Sequence, residues 1–134
     1  MAQASLYKGF KELDCWKKGR ELRIKVSDLV KFFPHEEKYM LAQQIRRSAR
    51  SVTNNIAEGY GRFTFTDTKH FFIQARGSVT ETLDHLMIAL EENYIGKEKF
   101  DEMENLCETL FRLINGYIHY LDKKNGLITK ASTH

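Results

Sequence analysis

The fold class follows from the stretch at residues 100–121, which reads FDEMENLCETLFRLINGYIHYL. Its apolar side chains recur at alternating steps of three and four residues: Phe100, Met103, Cys107, Leu110, Ile114, Tyr117 and Leu121. This spacing places them along one side of an α-helix and is typical of helices that pack at a shallow angle. We therefore expect an amphipathic helix over residues 98–123.

Three more segments have helical spacing of their apolar residues: 10–33, 36–58 and 67–94. Pro34 ends the first segment, because the residue before a proline is pushed out of the α region. Acidic residues then begin the second segment, which stops at Gly59, and Thr66 or Asp67 caps the third. Four such helices joined by short connections predict an all-α, antiparallel up-down-up-down four-helix bundle. One domain spans residues 1–134, with a frayed tail at 127–134.

Composition supports this class and excludes others. A chain of 134 residues with 8 Gly and 1 Pro has little turn chemistry for many short strands. Its longest run without a charged side chain, residues 113–121, is too short to cross a membrane, and residues 1–7 do not read as a secretory signal. We therefore expect a cytoplasmic protein with no membrane partner. Cys15 and Cys107 occupy core-like positions and are interpreted as small hydrophobic residues.

Positive charge is concentrated in the first part of the chain. Residues 1–80 hold 15 Lys and Arg against 8 Asp and Glu, whereas residues 81–134 hold 6 against 10. The candidate nucleic-acid-binding residues are Arg46, Arg47, Arg50, Arg62, Lys69 and Arg76. Guanidinium groups match phosphate geometry and could hold an RNA or DNA backbone without reading bases. The alternative is a solvated face, or salt bridges to Glu36, Glu58 or a neighbouring subunit.

Aromatic residues lie between the basic ones in the predicted loop. Tyr60, Phe63 and Phe65 surround Arg62 in the sequence. Such rings could stack on unpaired bases, but packing against the helices is the favoured interpretation.

The sequence gives no convincing catalytic or cofactor signature. Gly59-Tyr60-Gly61 follows a helix rather than a strand, which does not fit a dinucleotide-binding turn. Ser78 lies within a predicted helix and lacks the strained turn of a catalytic serine. Glu81 and His85 are four residues apart and favour a surface ion pair over a metal site. We therefore expect neither an enzyme nor a bound cofactor or metal.

The third helix has uncharged, largely apolar residues opposite its core stripe. They are Ile73, Gly77, Thr80 and Ile88, and solvent would normally favour charged residues there. A glycine inside a helix costs about 1 kcal/mol, which suggests that another backbone approaches Gly77. We therefore predict an oligomer interface at these four residues. In a rival interpretation, the arginines bind acidic residues of another subunit or partner protein, with a counter-surface at Glu98, Asp101, Glu102 and Glu104.

Two stretches carry a resemblance to a known family. They are QIRRSARSVTNNIAEG at residues 44–59 and ARGSVTE at residues 75–81. Together they resemble the bacterial four-helix bundle proteins encoded in intervening sequences of large-subunit ribosomal RNA genes. Leu13 with Trp16, and Phe33 with Pro34, fit the same pattern, so the similarity extends over residues 10–121. Arg46, Arg47, Asn55, Glu58 and Gly59 match motif positions.

The resemblance implies a binding protein rather than an enzyme. It implies a four-helix bundle that assembles as a ring-like homopentamer. A related branch, the accessory variability determinants of diversity-generating retroelements, consists of basic pentamers that bind nucleic acid and a reverse transcriptase. The expected function is nucleic-acid binding, and the alternative is a protein-interaction scaffold or an accessory subunit, for example of a reverse transcriptase.

Overall fold

The computed structural model describes residues 9–126, and every regular element in this range is helical. The four long helices are α1 (Asp14–Leu29), α2 (Leu41–Tyr60), α3 (Phe65–Glu91) and α4 (Lys97–Lys124). Two short 3-10 turns, Val30–Phe32 and His35–Glu37, connect α1 to α2. The tail at 127–134, for which fraying was predicted, lies outside the described residues.

The four helices surround one hydrophobic core. Each helix packs against the two beside it in the bundle, and the interface between α2 and α3 is the most extensive. The apolar side chains spaced along one face of α2 are buried: Leu41, Ile45, Val52 and Ile56. Complete burial of an aliphatic side chain contributes about 1.5–3 kcal/mol. The predicted all-α, antiparallel four-helix bundle is confirmed.

The first long helix is shorter than the predicted span of 10–33. Leu13 has an extended backbone (φ −70°, ψ 131°), which separates a preceding helical turn from α1. At the C-terminal end of α1, the chain continues as the 3-10 turn Val30–Phe32. Phe33 is extended (φ −73°, ψ 152°), as expected for the residue before Pro34.

The second long helix begins at Leu41 rather than at residue 36. The acidic residues after Pro34 form a 3-10 turn instead, and the backbone of Met40 (φ −118°, ψ −103°) lies outside the helical region. Oε1 of Glu37 accepts a hydrogen bond of 3.1 Å from the Leu41 amide. Glu37 therefore stabilises the N-terminus of α2 from outside the helix, because that amide has no partner within α2.

The link between α2 and α3 is tighter than predicted. α2 continues to Tyr60, and α3 begins at Phe65 rather than at residue 67. The hydroxyl oxygen of Thr64 accepts a hydrogen bond of 3.2 Å from the Asp67 amide and caps α3. Thr64 fills this role because its backbone is extended, which aims its side chain at the first free amides of the helix.

Small residues bring α2 and α3 close together. A Cβ atom on Gly59 would lie 2.9 Å from Cβ of Phe71 and 3.0 Å from Cδ1 of Phe72. Further along the interface, the buried hydroxyl oxygens of Ser48 and Thr82 lie 2.8 Å apart. Gly59 therefore lies inside α2 and allows close packing, whereas the sequence predicted it as the helix stop.

The third long helix ends at Glu91 in a Schellman motif, earlier than predicted. Asn93 has a left-handed backbone (φ 64°), and its amide donates a hydrogen bond of 3.0 Å to the carbonyl oxygen of Leu90. The amide of Tyr94 donates to the carbonyl oxygen of Ala89 at 2.8 Å. Asparagine tolerates this conformation, so it ends the helix where glycine is more usual.

Candidate nucleic-acid interface

An open groove of about 520 Å³ follows the outer face of α2. Its lining is polar and basic: Lys38, Tyr39, Gln43, Arg46, Arg47, Arg50, Ser51 and Asn54. Arg46, Arg47 and Arg50 lie away from the core stripe of the helix, as a period of 3.6 residues predicts. The structure thus gathers the three arginines on one surface, which we call the α2 groove.

The charge of the α2 groove is not neutralised within the described chain. None of Arg46, Arg47 and Arg50 forms an ion pair with a carboxylate of residues 9–126. No acidic side chain among residues 9–126 lines the groove. Glu58, one of the alternative partners, instead lies 2.7 Å from Arg62. A surface with several positive charges and no counter-charge attracts anions.

The other three candidate basic residues lie outside this groove, and each has a partner within the chain. Arg62 Nη2 lies 2.7 Å from Glu58 Oε2, Lys69 Nζ lies 2.8 Å from Asp122 Oδ1, and Arg76 Nη1 donates to Asn115 Oδ1 at 2.8 Å. Each cation also lies within 6 Å of an aromatic ring centroid. These side chains are engaged within the chain and are therefore less available to an anion than the three arginines of the α2 groove.

The basic surface includes α1 residues that the sequence analysis missed. A neighbouring depression of about 350 Å³ shares Arg50 and Asn54 with the α2 groove and adds Trp16 and Arg23. The sequence did contain a signal, because Arg20 and Arg23 are three residues apart on α1 and lie on neighbouring parts of its surface. The sequence does not show which helix these two arginines face, because that depends on how α1 packs on α2.

At its other end, the α2 groove meets the link between α1 and α2. A shallow depression of about 240 Å³ there includes Lys38, Arg46, Lys31 and His35. Nζ of Lys31 lies 3.3 Å from Asp28 in an exposed pair, which contributes little. Basic residues therefore flank the α2 groove at both ends.

The three aromatic residues near Arg62 have different environments. Phe63 is fully exposed, so the favoured prediction that these rings pack against the bundle is wrong for this residue. The short link between α2 and α3 leaves its ring in solvent. Tyr60 and Phe65 are half-buried, and Nζ of Lys69 lies 5.7 Å from the ring centroid of Phe65. Of these three rings, that of Phe63 is the one open to stacking by a base.

The outer face of α3 has the properties expected of a contact surface. Ile73 is 40% exposed and Ile88 is 38% exposed, with Thr80 exposed between them. A Cβ atom on Gly77 would meet nothing within 4 Å. Packing within the described chain therefore does not require Gly77 to be glycine, in contrast to Gly59.

The acidic counter-surface of α4 is partly neutralised by lysines of the same chain. Lys97 Nζ lies 2.7 Å from Asp101. Glu102 lies 2.8 Å from Lys25 on α1 and 3.1 Å from Lys99. Glu98 and Glu104 have no ion pair within residues 9–126. Half of the predicted cluster is thus already engaged.

The reactive side chains are dispersed or buried. Nε2 of His85 lies 3.3 Å from Oε2 of Glu81. Within residues 9–126, no three His, Cys, Asp or Glu side chains gather where they could hold a metal ion. Burial raises the pKa of Cys15 and of Cys107 to about 12. None of the described helices combines the length and hydropathy needed to cross a bilayer.

The sequence matches one protein family over most of its length. The family is described as 23S rRNA-intervening sequence protein, and the match covers residues 11–116. The chain belongs to this family. No curated protein matches the sequence.

A solved structure supports the assignment of this 23S rRNA-intervening sequence protein. The fold is similar to the crystal structure of a protein with unknown function from the S23 ribosomal protein family of Bacteroides thetaiotaomicron. The two chains are 25% identical and superpose with a TM-score of 0.72, over 78% of this chain and 97% of the other. The resemblance seen in the sequence is thereby confirmed.

In this 23S rRNA-intervening sequence protein, part of the motif at residues 44–59 serves helix packing. Nδ2 of Asn55 donates to the carbonyl oxygen and to Oγ of Ser51, both at 2.9 Å. Oγ of Ser51 lies 2.9 Å from Oγ of Ser78 on α3. Arg46 and Arg47 belong to the same stretch but line the α2 groove instead. The motif therefore combines an α2–α3 packing interface with a basic outer surface.

Proposed function

We propose that this protein is a non-enzymatic, cytoplasmic binding protein that holds the backbone of RNA or DNA in the α2 groove. One observation carries the proposal: Arg46, Arg47 and Arg50 line a single open surface and have no carboxylate partner in the described chain. Arginine stays charged at neutral pH and binds phosphate oxygens in a bidentate manner. The function requires no cofactor.

Such a surface contacts phosphates rather than base edges, so binding is tolerant of sequence and steeply dependent on salt. Each phosphate contact on a duplex contributes about 0.9 to the slope of log K against log salt concentration. The description of the family, 23S rRNA-intervening sequence protein, makes structured ribosomal RNA the first ligand to test.

The second candidate function is a homo-oligomeric scaffold, including an accessory role beside a protein partner such as a reverse transcriptase. It is favoured by Gly77, which has open space around its Cβ position, and by the exposed Ile73 and Ile88 on the same side of α3. When this patch on one copy contacts a different surface of the next copy, the copies form a closed ring if the rotation between neighbours divides a full turn evenly. The number five comes from the family resemblance. The two functions are compatible, because the α2 groove and this α3 face have no residue in common.

The experiment that tests nucleic-acid binding compares structured ribosomal RNA with an unrelated duplex across a salt series. We expect both to bind at low salt and both to weaken steeply as salt increases. Reversing the charge at Arg46, Arg47 and Arg50 to Glu should abolish binding of both ligands. Absence of binding at low salt, or unchanged affinity after charge reversal, would refute the proposal.

A further inference from the structure

The depression between α1 and α2 contains a guanidinium group with an unused hydrogen-bond donor. This α1–α2 pocket has a volume of about 350 Å³ and is lined by Phe10, Trp16, Arg23, Arg50, Thr53, Asn54 and Ala57. Nη1 of Arg23 is buried and has no hydrogen-bond partner among residues 9–126. A buried charged donor without an acceptor is costly, since it has lost water and gained nothing in return.

The charges that act most strongly on Arg23 are positive. Burial, followed by the charges of Arg20 and Arg50, lowers the pKa of Arg23 below its usual value. No carboxylate of the part of the chain that the structure describes lines the pocket. The guanidinium carbon lies 5.6 Å from the ring centroid of Trp16, and this cation–π contact offers no hydrogen-bond acceptor. An anion in the pocket would supply the counter-charge that Arg23 and Arg50 lack among the described residues.

We infer that the α1–α2 pocket binds a single phosphate group, with Arg23 and Arg50 as its principal ligands. Arg23 belongs to α1 and Arg50 to α2, so the two guanidinium groups line the pocket from different helices. The exposed side chain of Asn54 adds an amide beside them. Two arginines can neutralise either a phosphodiester or a phosphate monoester, and guanidinium forks favour phosphate oxygens over a monatomic anion such as chloride.

This inference rests on the proposed function and adds a discrete site to it. Arg50 and Asn54 line both the α2 groove and the pocket, so a strand in the groove can place a phosphate there. The phosphate has two possible sources: an internal phosphodiester of the strand, or the terminal monoester of a nucleic-acid end. The chemistry recognised is the same in both cases.

The site has a built-in reporter, because Trp16 is the single tryptophan of the chain. Inorganic phosphate is titrated while sodium chloride keeps the ionic strength constant. We expect a saturable change in Trp16 emission, weakened at least tenfold in Arg23→Gln and in Arg50→Gln. Lys123→Gln removes the same charge from α4 and should respond like the wild type. Arg50 is exposed, so its variant preserves the test even if Arg23→Gln loses helix content by circular dichroism.

The source of the phosphate is identified with two RNA oligonucleotides of the same sequence. One carries a 5′-phosphate and the other a 5′-hydroxyl. A tenfold preference for the phosphorylated oligonucleotide indicates a terminal phosphate. Equal binding of both, weakened equally by Arg23→Gln, indicates an internal phosphodiester. If RNA does not bind but phosphate gives a saturable change in Trp16 emission, the proposed function is refuted and the phosphate site in the α1–α2 pocket is supported. The inference is overturned if phosphate produces no saturable change, or if Arg23→Gln and Arg50→Gln respond like the wild type.

Discussion

The hydroxyl of Tyr94 donates a hydrogen bond of 2.7 Å to Oε2 of Glu37, whose Oε1 accepts from the Leu41 amide at 3.1 Å. Tyr94 follows α3 and Glu37 precedes α2, so one carboxylate joins the α3–α4 link to the start of α2. The turn between Glu37 and Leu41 contains Lys38 and Tyr39, which line the α2 groove. This contact therefore fixes one end of the candidate interface.

Replacing Tyr94 with Phe should lower the free energy of unfolding at pH 8. The hydrogen bond to Glu37 is the main cause that raises the pKa of Tyr94 from its usual 10.0 to about 12. A raised pKa favours the neutral hydroxyl in the folded state, so its stabilising contribution is complete below pH 10 and is lost as pH rises towards 12. The difference between wild type and Tyr94→Phe, measured by urea unfolding, should therefore disappear over this range.

The control for this titration is Tyr39→Phe, which alters an exposed ring in the same region. It should leave the free energy of unfolding within about 0.5 kcal/mol of wild type. A difference between wild type and Tyr94→Phe that stays constant up to pH 12 would contradict the assignment.

Gly59→Ala should destabilise the bundle by about 1–3 kcal/mol, although alanine is the better helix former. The new Cβ would lie 2.9 Å from Cβ of Phe71, which belongs to the packed face of α3. Gly61→Ala is the matched control, because the nearest atoms to its Cβ position are at 3.7 Å. Chemical denaturation of both variants checks the expectation. Equal stability of the two would show that α2 and α3 tolerate a wider separation.

Gly77→Arg should dissociate the proposed oligomer into monomers without loss of helix content. The Cβ position of Gly77 is open within the described chain, so any damage must come from contact with another copy. Gly96→Arg, at another open glycine, serves as the control and should leave the assembly intact. Light scattering or sedimentation at micromolar concentration reports the mass. A wild-type chain that is monomeric under these conditions would refute the interface.

Cys15 and Cys107 should resist alkylation in the folded protein. Burial raises the pKa of each thiol from 9.0 to about 12, so the reactive thiolate at pH 8 is roughly a thousandfold less abundant than in the unfolded chain. Mass spectrometry after iodoacetamide treatment, with and without urea, measures this protection. Rapid modification of either residue in the native protein would contradict the assigned core positions.

Helix positions were predictable from the sequence because apolar spacing directly reports which face is buried. The first and last residues of each helix were less predictable, since they depend on individual hydrogen bonds. Glu37 caps α2 from outside the helix, and Asn93 ends α3 in a left-handed conformation that usually indicates glycine. Neither interaction has a periodic signature.

The α2 part of the candidate site was also predictable, since Arg46, Arg47 and Arg50 are close in sequence on one helical face. Arg23 was missed because its proximity to Arg50 depends on how α1 packs on α2. Conversely, Arg62 is near the cluster in sequence, yet it pairs with Glu58. Sequence distance alone does not separate basic residues that are free from those that are paired within the chain.

The phosphate-binding role of the α2 groove is tested most directly by the salt dependence of duplex binding in two triple variants with equal loss of charge. Changing Arg46, Arg47 and Arg50 to Gln should reduce the slope of log K against log salt concentration by about 2.7, since each phosphate contact contributes about 0.9. Changing Arg62, Lys69 and Arg76 to Gln should reduce the slope much less, because Arg62 and Lys69 pair with carboxylates and Arg76 is held by Asn115. A wild-type slope in the first variant, or an equal reduction in both, would contradict a specific role for the α2 groove.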